Sequence, residues 1–274
     1  MILLYITILL NWFSIQQPIF KNAVSITTDG KGFIYVLDKD RNEISKLDSN
    51  LNLIKRLGDF GWNQGQFNNP TYIDGSSGLD ILVSDPSNYR IQRLDLNLAF
   101  ITELKTTTET FFPEFKFNNP VATLVVNSND IYVIDYDNRR VVIYPKGTNP
   151  NNSFGDYKTS KIPLLEPVKL LKDNNNFIYI YDKGYKGILK FDSFGNFVQK
   201  LSLDNIKAFS IYNGQLYILT ADNKITIFDP PSNSYKEEIS LPAGYDSSKI
   251  TDILIYNSEK YFILEKNKLS FFKP

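Results

Sequence analysis

Two short stretches carry residue types at a spacing from which chemistry could be built: Asp85, Asn88 and Arg90, and again Asp135, Asn138 and Arg140. A carboxylate five residues ahead of a guanidinium suits either recognition of a polar ligand or a charge-assisted pair across a tight turn. Short Asp and Asn side chains commonly bond nearby backbone, so the pattern points first to structure: each carboxylate accepts turn amides or pairs with the Arg across a hairpin. Further acids stand beside turns at Asp29, Asp74, Asp173, Asp204 and Asp252. Oxygen ligands of this kind would select calcium or magnesium. The chain has no His and no Cys, which removes the commonest general base, any thiolate nucleophile, zinc-thiolate sites and disulfides. No set of nucleophile, base and oxyanion donors emerges. The Gly-rich stretch from Gly58 to Gly65 does not follow a strand and open a helix, as a phosphate loop would.

The elements that must hold these residues repeat. Apolar runs end at Asp38, Asp85, Asp135, Asp182, Thr220 and Glu265, giving units of about 40 to 50 residues, the period of four-stranded propeller blades. Within each unit a first strand is followed by a Gly, Asn or Ser turn such as Asp29–Gly32 or Asn213–Gly214. Such turns supply the positive φ that antiparallel hairpins need. Inner strands read as nearly continuous apolar runs because both faces are covered, whereas the outermost strands alternate with charge. The expected fold is therefore all-β: a six-bladed β-propeller of four-stranded antiparallel blades over residues 18–274. The sixth unit ends one strand short, so a strand from before Ile19, in Trp12 to Gln17 or in Ile2 to Leu10, is expected to complete the last blade. The 17 Tyr and 20 Phe residues are mostly expected to pack between blades.

The second unit resembles an NHL repeat, in which a Pro opens the blade and Asp, Asn, Arg and a β-branched residue follow the second strand. Here these are Pro70, Asp85, Asn88, Arg90 and Ile91, and in the third unit Pro120, Asp135, Asn138, Arg140 and Val141. The first unit keeps Asp38, Asn42 and Ile44 with Glu43 in place of Arg, and the fourth keeps only Pro167 and Asp182. The motif is lost in the fifth and sixth units. The resemblance is specific over residues 58–145 and implies a six-bladed propeller without a particular chemistry.

In a propeller the turn between second and third strands and the link to the next blade emerge on one face. This places Arg41, Phe60, Trp62, Tyr89, Tyr136, Arg139 and Tyr185 together as a candidate binding face, since exposed aromatic and Arg clusters anchor interfaces. Phe67 and Phe117 are expected to plug the core. The functional expectation is a non-catalytic, rigid scaffold for a protein partner or ligand, with no cofactor. The alternative is a calcium-dependent hydrolase or lactonase with its site at the central channel. Thirty basic and thirty acidic residues balance, which argues against nucleic acid, because phosphate neutralisation needs a basic excess. The apolar start, MILLYITILL, is too short to span a bilayer. Residues 1–17 admit two readings, a secretory signal that would place the protein in a periplasmic or extracellular setting, with cytoplasmic residence as the alternative, or the closing strand.

Overall fold

A computed structural model describes residues 13–14, 20–106, 109, 112–127, 129–158 and 160–274. Six four-stranded antiparallel sheets follow one another along the chain. Strand β1 (Phe13–Ser14) lies apart from its sequence neighbours. The first blade holds β2 (Ala23–Thr28), β3 (Ile34–Asp38), β4 (Glu43–Leu47) and β5 (Leu53–Leu57). The second holds β6 (Tyr72–Asp74), β7 (Asp80–Asp85), β8 (Arg90–Asp95) and β9 (Phe100–Lys105). The third holds β10 (Pro120–Val126), β11 (Asp130–Asp135), β12 (Arg140–Tyr144) and β13 (Asn152–Phe154), and the fourth β14 (Pro167–Lys172), β15 (Ile178–Asp182), β16 (Gly187–Phe191) and β17 (Phe197–Ser202). The fifth comprises β18 (Ile206–Tyr212), β19 (Gln215–Thr220), β20 (Lys224–Asp229) and β21 (Ser234–Ser240). The sixth contains β22 (Ile250–Asn257), β23 (Lys260–Glu265) and β24 (Lys268–Phe272), and β1 completes it: Phe13 pairs with Phe271 and Ser14 with Ser270. The closing strand thus comes from the Trp12–Gln17 segment, while Ile2 to Leu10 lies outside the described residues. Helical structure among the described residues is confined to 3-10 turns such as Pro86–Asn88.

Burial explains the strand sequences. Both faces of a blade meet neighbouring blades, so β3 and β7 are buried at every position. The outer strand β5 is exposed along most of its length, and β21 likewise. The apolar clusters straddle the seams: Tyr35, Leu37 and Ile44 of the first blade pack with Ile73, Ile81 and Val83 of the second. Tyr179 and Ile188 of the fourth pack with Phe209, Ile218 and Phe228 of the fifth. Phe67 and Phe117 are fully buried and seal the entries to the second and third blades. This geometry follows from two-sided apolar strands that can hide both faces only by radial stacking.

Candidate partner-binding face

The motif carboxylates do more than close their own hairpins. Asp85 accepts the Asn68 backbone N–H (2.8 Å), the Asn88 amide (2.8 Å) and Arg90 Nε (2.9 Å). Asp38 accepts the N–H groups of Lys21 and Asn22, Asp135 those of Asn118 and Asn119, and Asp182 those of Leu165 and Glu166. Each carboxylate therefore pins the segment entering the inner strand of its blade. Pro70, Pro120 and Pro167 lie just after that pinned segment and are buried; proline fits there because its fixed φ suits an extended entry. Burial pushes the Asp85 carboxyl above its usual range despite the bonds that favour its charged form.

Arg90 is 1% exposed and uses the whole guanidinium. Besides Asp85 it donates to the carbonyls of Trp62 (2.7 Å), Asn63 (3.1 Å) and Gln66 (2.8 Å), and to Glu103 (3.1 Å). Asn88 donates to the Gly61 carbonyl, and Gln92 bridges the Gly65 N–H and the Gln66 carbonyl. The connection between the first and second blades is thereby clamped at almost every residue from Gly61 to Gln66. Gly58 opens it at φ 128°, where a Cβ would stand 2.2 Å from the Asn42 carbonyl oxygen; only glycine permits that approach. Arg140 repeats the arrangement in the third blade, bonding Asp135 and the carbonyls of Glu114 and Lys116.

On this clamped loop Trp62 is 66% exposed and Phe60 53%, with their rings edge to face at 5.3 Å. Tyr89, 55% exposed, projects from the adjacent hairpin with φ 53°. Asn42, Arg139 and Lys186 occupy the same left-handed position in the other three motif turns. Outside glycine this conformation costs about 1–2 kcal/mol. Tyr136 and Arg139 are exposed on the third blade, and Phe112 lies exposed on the link before it. Two candidate residues sit differently. Tyr185 is half-buried against the third- and fourth-blade core, with the Lys200 ammonium over its ring, and Arg41 is half-buried with its guanidinium 3.8 Å from Asp38. Tyr157, the most exposed aromatic among the described residues at 86%, lies on the link after β13. Sequence reading passed over it because no motif residue stands beside it.

The ring axis is occupied by the protein's own polar groups. Lys169 Nζ donates to Asp252 (2.5 Å) and to the Phe209 carbonyl, tying the fourth blade to the fifth and sixth. Asp252 also accepts the Ile26 N–H of the first blade, and Tyr72 of the second bonds the Leu170 carbonyl of the fourth (2.9 Å). Asp74 accepts N–H groups of Ser76 and Val125. Burial raises the pKa of both Asp74 and Asp252. Asp29 and Asp173 are held in their hairpins by turn amides and tyrosine hydroxyls. Among the described residues no three His, Cys, Asp or Glu side chains converge as a metal-holding group.

No family model matches the chain. Protein brain tumor of Drosophila melanogaster is 28% identical over 152 residues, which cover 53% of this chain. The chain spans only 13% of that protein's length. Among solved structures, a streptogramin B lyase superposes with a TM-score of 0.65 at 14% identity, over 96% of both chains. Virginiamycin B lyase from Staphylococcus aureus superposes with a TM-score of 0.65 at 14% identity, covering 97% of this chain and 99% of that one. A catalytically inactive form of the same lyase with quinupristin gives 0.65 at 12% identity over the same shares. At these identities the likeness is one of fold: the chain is an all-β, six-bladed propeller.

Proposed function

We propose that the protein is a non-catalytic NHL-type propeller that binds a protein partner through the face carrying Phe60, Trp62, Tyr89, Phe112 and Tyr136. The observation that carries this reading is the coupling of the exposed Trp62 and Phe60 rings to a loop clamped at almost every residue from Gly61 to Gln66. Rigid aromatic side chains give large contact area at low ordering cost, and Arg90 holds the Trp62 backbone before any partner arrives. The similarity to brain tumor supports the NHL assignment. The lyase neighbours offer a catalytic alternative, but their inactive form replaces a histidine with alanine, and this chain contains no histidine at all. A calcium-dependent hydrolase at the channel is disfavoured because Asp29, Asp74, Asp173 and Asp252 are already bonded to Lys169, to backbone amides or to tyrosines.

The test compares wild type with a Phe60→Ala/Trp62→Ala double variant as immobilised baits against an extract of the source cells. A discrete protein retained by wild type and lost from the variant, at equal melting temperature, supports the reading; equal retention by both refutes the assigned face. A melt in EDTA and then in millimolar calcium separates the alternative class. Calcium at about 100 times its dissociation constant would add roughly 2.7 kcal/mol, so a rise of several degrees would favour the hydrolase. The scaffold predicts none.

A further inference from the structure

Among the described residues, three of the six seams between blades are latched by one recurring carbonyl, that of the residue after the Asp opening the turn between third and fourth strands. Leu96 O accepts Lys46 Nζ (2.8 Å) and lies 2.8 Å from Tyr35 Oη, whose one proton it shares with Asp29, across the seam between the first and second blades. Ser193 O accepts Tyr132 Oη (2.5 Å) between the third and fourth, and Ser49 O accepts Lys260 Nζ (2.8 Å) between the sixth and first.

The donor set of the first blade is duplicated in the fourth at the same sequence intervals. In the first, Asp29 accepts Tyr35 Oη at 3.0 Å, while Lys46 Nζ lies 4.0 Å from the Phe33 ring centroid and 5.6 Å from that of Tyr35. In the fourth, Asp173 accepts Tyr179 Oη at 3.0 Å, while Lys190 Nζ lies 4.0 Å from the Phe177 ring and 5.6 Å from that of Tyr179. The latch, however, is missing. In the fifth blade the corresponding residue is Pro230, followed by Pro231, and the turn forms one residue later. The Pro230 carbonyl accepts the Asn233 N–H of its own turn, whereas in the second blade the Leu98 N–H goes to Asp95 and leaves Leu96 O free to cross the seam. Lys190 is only 8% exposed, its side chain lying over the Phe177 and Tyr179 rings and its ammonium tip reaching solvent, and no oxygen of the described residues accepts its N–H groups. Burial lowers its pKa, as expected for an ammonium with aromatic neighbours and no acceptor.

We propose that the Lys190 ammonium at the seam between the fourth and fifth blades binds an amide carbonyl from a partner chain, which takes the place that Leu96 O fills beside Lys46 at the first seam, the Tyr179 hydroxyl remaining bonded to Asp173. A neutral carbonyl fits better than a carboxylate because Asp173 already supplies the negative charge beside the ammonium. This site lies on the face opposite Phe60 and Trp62 and stands independently of the function proposed above.

The probe is N-acetyl-leucinamide, titrated into the full chain with 13C-labelled lysines. The Lys190 Cε resonance is expected to shift saturably at millimolar probe while that of Lys46, whose acceptor is in place, does not move. Saturation transfer to the probe's methyl groups is expected to disappear in Lys190→Met. A second variant, Pro230→Leu with Pro231 deleted, restores the latched turn and is expected to abolish binding with Lys190 still present. An immobile Lys190 resonance, equal shifts at Lys46, or saturation transfer that survives either variant would overturn the proposal; a variant that fails to fold leaves the wild-type titration as the deciding measurement.

Discussion

Removing the Arg90 guanidinium should be among the most damaging single changes on the motif face. In Arg90→Ala the Asp85 carboxylate, itself fully buried, loses its cation, and the carbonyls of Trp62 and Asn63 lose their Arg90 donor while that of Gln66 keeps only Gln92. Breaking a buried ion pair by deleting one partner costs about 3–5 kcal/mol, because the remaining charge stays desolvated. The three carbonyls regain water at the loop surface, so they add little beyond this. For a domain of this size, with roughly 2 cal/mol/K of unfolding entropy per residue, the loss corresponds to a fall in melting temperature of about 5 to 9 °C. Arg90→Lys restores charge but not the planar fork that reaches several acceptors, so it should recover less than half. Urea denaturation monitored by far-UV circular dichroism gives the free energy, and calorimetry the melting temperature. A midpoint within about 1 °C of wild type for Arg90→Ala would refute the claim that this guanidinium holds the loop.

Three further outcomes follow from the ring axis and the closing strand. Lys169→Met leaves Asp252 buried without its ammonium and should cost about 3–5 kcal/mol in urea denaturation, with partial recovery in the Lys169→Met/Asp252→Asn double variant; additive losses would deny the coupling. Asp74 has its pKa raised by burial, so the folded state favours the protonated form: that stability is fully present below the unfolded pKa and is lost as pH rises from about 4 through the raised value. Asp74→Asn should therefore flatten the melting profile over this window and match or exceed wild type at pH 7, and an unchanged slope would remove Asp74 from the account. A chain beginning at Pro18 lacks the Phe13–Ser14 pairing to β24 and should melt lower than the full chain in paired calorimetric scans.

The blade pattern was legible because two-sided burial writes itself into each unit: an apolar second strand, ending in Asp in the first four units and in Thr220 or Glu265 in the last two, then a turn, then a β-branched or apolar third strand. The closing strand was legible as a deficit, one strand missing after Phe272. What local reading could not supply was the destination of each side chain. Asp85 reads as a turn residue, yet its backbone partner is Asn68, seventeen positions upstream. The axis was still less legible. Lys169 and Asp252 are separated by 83 positions, and neither stands in a motif; only ring closure brings β14 within reach of β22. The latch at Leu96 is a main-chain carbonyl, so its identity leaves no side-chain mark, and its loss at Pro230 is visible only once the turns are aligned in space.

These contacts also change how the motif bears on function. Structural and recognition roles for the Asp-Asn-Arg turn look like competing explanations when the turn is considered alone. In the folded chain the same Arg90 that neutralises Asp85 holds the Trp62 carbonyl, and Trp62 is the exposed ring. The motif residues need not touch a partner to decide whether one binds, because they set the backbone from which the aromatic side chains project. A ring on a loop fixed by internal hydrogen bonds loses less freedom on association than one on a free loop. Weakening the clamp without unfolding the blade, as Asn88→Ala does by removing the bond to the Gly61 carbonyl, should therefore weaken partner binding more than it lowers the melting temperature. Equal binding by Asn88→Ala and wild type would separate the two roles again.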